Sequence, residues 1–116
     1  MTRFAKIICP IKSPKLPDKD NTPIKNPINR QALVNLDEVV SLQVIANLGP
    51  KEGVVTSLIL TLTCRTPGTT FVLGSLTLLN DASKLKKLYD TYDELEKKIM
   101  NPADHLITID CKNFDA

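Results

Sequence analysis

The chain has 116 residues and 12.8 kDa, the length of one domain, with 42% hydrophobic and 24% charged residues and a net charge of +2. Eight prolines, four glycines, three cysteines and five aromatic residues without Trp exclude a collagen-like, disulfide-dense or wholly disordered polypeptide. No apolar run approaches the ~18 residues of a membrane-spanning helix and no secretory leader pattern opens the chain, so the expectation is a cytoplasmic protein.

Residues 3–9 (RFAKIIC) form a short apolar run of strand type. Residues 10–30 follow, with Pro10, Pro14, Pro17, Pro23 and Pro27, five of the eight prolines. Proline fixes φ, removes a donor and pushes the preceding residue out of the α region. This stretch is therefore expected to be an extended, exposed, polyproline-like loop or arm within a single domain spanning 1–116.

Beyond Gln31 the pattern becomes β. Residues 32–35 and 39–46 are rich in aliphatic and β-branched side chains. A turn follows at 47–53, and then 54–64 alternates, with Leu58, Leu60, Leu62 and Cys64 on one face and Ser57, Ile59, Thr61 and Thr63 on the other. Pro67-Gly68 stands where a type II turn places those residues, and 70–76 reads as the returning strand. These three strands make an antiparallel meander.

Asp81 is placed to N-cap a helix over 82–100, in which Leu85, Leu88, Tyr92, Leu95 and Ile99 form one apolar stripe. The pairs Asp93–Lys97 and Glu94–Lys98 stand at i,i+4, and Asn101-Pro102 stops the helix. Residues 106–111 (LITIDC) alternate as a last strand. The expected fold is α+β: a small antiparallel sheet, the meander plus one or two edge strands (3–9 and 106–111), packed against one long C-terminal helix.

The chemistry these residues offer is sparse. Cys9, Cys64 and Cys111 are far apart without a Cys-x-x-Cys pair, and His105 is the single histidine, so no zinc site is expected. Each cysteine lies in an apolar strand-like run and reads as a small buried hydrophobe of a reducing compartment. No nucleophile motif and no glycine cluster for phosphate is present. Neither catalytic residues nor a cofactor are therefore expected. An enzyme would need one of the three cysteines activated by His105.

The arm carries Lys12, Lys15, Lys19, Lys25 and Arg30 against Asp18 and Asp20, a balance of +3, which leaves −1 for the rest of the chain. Pro14-Lys15-Leu16-Pro17-Asp18-Lys19 fits the Pro-x-x-Pro-x-Lys pattern read by aromatic grooves. Ser13-Pro14 and Thr22-Pro23 fit a proline-directed phosphorylation pattern. Lys12, Pro14, Lys15, Pro17, Lys19, Lys25 and Arg30 are thus the candidates for contact with a partner. The leading expectation is a non-enzymatic binding or assembly module acting through protein–protein contacts, with self-association through the helix stripe or an edge strand as one route. The alternative is a nucleic-acid-binding accessory or regulatory protein that adds Lys84, Lys86 and Lys87 to the arm's cations.

The order of 32–40 (ALVNLDEVV), 58–64, Pro67-Gly68 and 71–73 (FVL) is similar to small bacterial β-meander proteins and, more loosely, resembles LytTR-type DNA-binding domains. The likeness lies in strand alternation and carries no functional residue across.

Overall fold

The computed structural model describes residues 2–11, 15–25, 28–65, 68–77 and 79–115. In chain order the elements are β1 (Phe4–Ile11), β2 (Ile28–Asn35), a 3₁₀ turn (Leu36–Glu38), β3 (Val39–Leu48), β4 (Val55–Cys64), β5 (Thr70–Leu76), α1 (Ala82–Met100), β6 (Leu106–Asp110) and β7 (Lys112–Asn113). The fold is α+β with one long helix, and its strands divide into two mixed sheets, β2-β1-β6 and β3-β4-β5-β7.

The meander forms as its alternation dictates. β3 and β4 pair antiparallel with Leu42 opposite Leu62, Val44 opposite Leu60 and Ala46 opposite Leu58. The register is continuous from Ser41 to Asn47, with irregularities just outside it at each end. β5 returns along β4 with a shift between Leu60 and Thr61. Gly68 has φ +85°, the left-handed value a type II turn needs there; Pro67 lies outside the described residues.

The 3–9 segment is not an edge strand. β1 sits at the centre of its sheet, antiparallel to β2 and parallel to β6. Period-2 alternation assigns faces but not neighbours, and the parallel partner comes from about 100 residues further along the chain. The segment 10–30 is also less open than its prolines suggest. Pro10 and Ile11 end β1, and residues 28–30 begin β2. Pro10 is tolerated because the β6 ladder has already ended at Ile8–Asp110, so its missing N–H faces no second partner.

Past that ladder the two strands of the arm meet again. Lys15 bridges Pro23, and Leu16 N–H donates to Thr22 O at 2.9 Å. The arm's tip is turned by Asp18, whose carboxylate accepts from the Thr22 backbone N–H (2.8 Å) and hydroxyl, while Asn21 takes φ +49°. Asn tolerates that left-handed value better than most residues. The described arm is a folded-back ribbon and not a polyproline helix.

One core joins the sheets. Ala5, Ile7, Val34, Ile107 and Ile109 face Leu60, Leu62, Cys64 and Leu73, and Leu95 of α1 closes the side. A second cluster gathers Leu58, Leu76, Leu88 and Phe114. The helix begins as expected, with the Asp81 carboxylate accepting from Ser83 N–H at 3.0 Å. Its far end is held by Arg3, whose guanidinium donates to Ile99 O (2.7 Å), Lys98 O (3.1 Å) and Asp104 O (2.7 Å). A cation on the last-turn carbonyls satisfies groups that the helix itself leaves open. Of the two expected helix pairs Glu94–Lys98 forms (3.3 Å), whereas the other ion pair among the described residues is Lys86–Asp90.

Candidate functional site

Three places on this scaffold carry unusual chemistry. The first is the seam beside β1 and β6. Cys9 and Cys111 are joined as a disulfide. This corrects the reading of all three cysteines as small buried hydrophobes. The parallel ladder from Phe4–Leu106 to Ile8–Asp110 has a fixed offset, and Cys9 and Cys111 are its next step. Strand register thus brings the sulfurs together, which separation along the chain had concealed. The bond borders a cleft of about 340 Å³ that opens past Ala32, Phe71 and Arg30. Cys64 is the free thiol, buried, and its pKa is pushed up by burial and then by the negative charge of Glu38.

His105 does not meet these sulfurs. It is exposed in the turn before β6, where its backbone carbonyl accepts from Phe4 N–H at 2.8 Å. Among the described residues no group of three His, Cys, Asp or Glu side chains is placed to hold a metal ion. No described helix is long and apolar enough to cross a membrane.

The second place is the arm. Lys15, Pro17, Lys19, Lys25 and Arg30 are all exposed, and Lys12 and Pro14 lie outside the described residues, as does Ser13. Among the described residues no ion pair engages the arm's cations. The three helix lysines differ from them. Lys84 donates to Asp115 O at 3.0 Å and Lys86 is bound to Asp90 at 2.6 Å, which raises the Lys86 pKa. Lys87 borders an open hollow with Asp90 and Glu94. Of the three, Lys86 is thus the one whose charge is held by a carboxylate.

The third place emerges only from the fold. β3 is paired on one side alone, and α1, which also contacts β5 and β6, passes beside its middle. Leu42, Gln43 and Val44 form one wall of a groove of about 520 Å³, and Tyr89, Tyr92 and Asp93 form the other. Tyr89 is 49% exposed. Leu42 and Val44 pack towards the core, while Gln43 and Ile45 are exposed and stand opposite the buried Thr61 and the half-buried Ile59 of β4. A strand edge carries a row of N–H and C=O groups without intrasheet partners, and the helix wall adds two aromatic surfaces with polar tips.

Reasoning from the sequence found both walls as elements but not the groove, since Tyr89 lies beside the apolar stripe and only tertiary packing puts it by β3. One signal was available in the sequence: no charged residue occurs from 39 to 50, in a chain that is 24% charged. Edge strands are commonly protected by charge or proline, and β3 (VVSLQVIANL) has neither. No protein-family model matches this chain, and neither does any curated protein or solved structure.

Proposed function

We propose that this chain is a non-enzymatic binding module that acts through protein–protein contacts, by taking an extended segment onto the free edge of β3. The observation that supports the reading is the groove itself, a ten-residue uncharged edge strand beside a helix wall with two tyrosines. An added strand pairs with the backbone groups of β3, and its alternate side chains rest on Tyr89 and Tyr92. Backbone pairing supplies affinity with little demand on sequence. The walls supply selectivity, apolar at positions facing Leu42 and Val44 and basic beside Asp93.

The reading is tested with a displayed library of random decapeptides selected on the whole protein. Enriched peptides are expected to alternate apolar and polar residues, and to lose at least tenfold in affinity against Tyr89→Ala and Gln43→Lys. Peptides that bind the wild type and both variants equally would overturn it.

A second reading is favoured by the arm's cations, which make no ion pair among the described residues. Lys15, Lys19, Lys25 and Arg30 are exposed on one folded-back segment, as contact with nucleic-acid phosphates requires. Four such contacts on duplex DNA imply a loss of affinity on the order of 100-fold between 50 and 200 mM salt. Absence of binding to a DNA duplex and to a single strand at low salt ends this alternative.

A further inference from the structure

We infer that the strand received at the β3 edge is β3 of a second copy of this chain, paired antiparallel about a two-fold axis through Val44. The inference rests on the reading of β3 as the docking edge and adds the identity of the occupant.

The other sheet edges support it by contrast. β2 carries Arg30, β6 carries Asp110, and β7 is two residues long. Charge and brevity are two of the means by which edges are kept from pairing. β3 is the long edge without them. An open edge of this kind templates uncontrolled pairing unless a specific occupant closes it. Self-pairing about a two-fold consumes both edges at once. It joins two four-stranded sheets into one of eight, bounded at each end by the short β7.

Register then fixes the axis. Directly opposed residues of an antiparallel pair share a face, so a shift by one residue would turn every core-facing side chain to the other side. The regular stretch of β3 runs from Ser41 to Asn47, and its midpoint is Val44. With the axis there, Leu42 faces the partner's Ala46, Val44 faces the partner's Val44, and Gln43 faces the partner's Ile45. Core-facing residues meet core-facing residues at every step, and Ser41 meets the partner's Asn47 on the outer face.

Charge agrees with the same axis. A two-fold places every residue near the axis beside its own mate, so a charge on central β3 would be self-repelling, and there is none. The groove lies at this midpoint, since Tyr89, Tyr92 and Asp93 stand beside Leu42, Gln43 and Val44.

Sedimentation velocity of the full chain over a concentration series tests the proposal, with far-UV circular dichroism to confirm that variants fold. The wild type is expected to sediment at twice 12.8 kDa, Gln43→Lys as a folded monomer, and Leu33→Lys on the other sheet as a dimer. Val44→Cys is expected to form a covalent dimer on mild oxidation, whereas Leu48→Cys is not; this pair decides the matter if Gln43→Lys fails to fold. A wild type that stays monomeric throughout overturns self-pairing. If decapeptides still bind that monomer and lose affinity against Gln43→Lys, strand docking itself stands. A dimer untouched by Gln43→Lys and not trapped through Val44→Cys overturns the proposed interface.

Discussion

The ring of Phe114 occupies the space that a side chain at Gly74 would take: a Cβ there would lie 2.5 Å from Cε2 and 3.3 Å from Cδ2. Gly74 is in β5 and Phe114 follows β7, so the pair fastens the end of the chain to the four-stranded sheet. Phe114 belongs to the cluster with Leu58, Leu76 and Leu88, which ties that end to α1 as well. Overpacking such a site costs about 1–3 kcal/mol, and Gly74→Ala is expected to fall in that range in urea unfolding. In a Phe114→Leu background the same substitution should cost less, because the ring that obstructs it is gone. Equal costs in both backgrounds would show that Phe114 is not what reserves the glycine.

Some of this architecture was legible in the sequence and some was not, for identifiable reasons. The meander, the Asp81 cap and the stripe from Leu85 to Ile99 are local patterns, fixed by alternation, capping and helical period. The central position of β1, the Cys9–Cys111 bond and the Arg3 clasp on Ile99 each join residues about 100 positions apart, and no local pattern encodes that. The β3 groove falls between these cases. Its strand wall was readable and its helix wall was readable, but their adjacency was not.

Thr61 lies between Gln43 and Val72 in register, and it is 1% exposed with a hydroxyl that has no hydrogen-bond partner among the described residues. A buried, unsatisfied hydroxyl costs about 1–3 kcal/mol in protein contexts. Thr61→Val keeps the branched shape and removes the orphaned oxygen, so the variant is expected to be more stable than the wild type by about 1 kcal/mol. A loss of stability in chemical denaturation would mean that the hydroxyl is satisfied after all.

The disulfide makes a prediction at the scale of the whole fold. Cys9 and Cys111 are 102 residues apart, so the bond ties β1 to the C-terminal end of the chain. Closing long loops restricts the unfolded chain most, and removing such a bond typically costs about 2–4 kcal/mol. Cys9→Ser and reduction of the wild type should each lower stability by that amount, and together no further. Alkylation distinguishes the three sulfurs directly. The native oxidised protein should take no label, because Cys64 is buried and its thiolate disfavoured, while Cys9 and Cys111 are bonded. Denaturation without reductant should expose Cys64 alone. Peptide mapping that finds label on Cys9 or Cys111 at that stage would refute the pairing.

The acid limb of stability depends on caps rather than on buried ion pairs. Asp81 is held below the usual carboxylate range, first by the Ser83 hydroxyl and then by the Ser83 backbone N–H. A depressed folded pKa means that the ionised group favours the folded state. Its contribution is therefore complete above the unfolded value, about pH 4, and disappears as pH falls through the lower folded value. Asp18 follows the same sign through Thr22, but it turns the tip of the arm, away from the helix and core. The thermal midpoint is thus expected to decline below about pH 4 with loss of the helical signal. Asp81→Asn keeps an N-cap acceptor that does not titrate, so its midpoint should decline less steeply over the same window. Asp18→Asn should leave the helical signal unchanged. Superimposable profiles for wild type and Asp81→Asn would remove Asp81 from the acid limb.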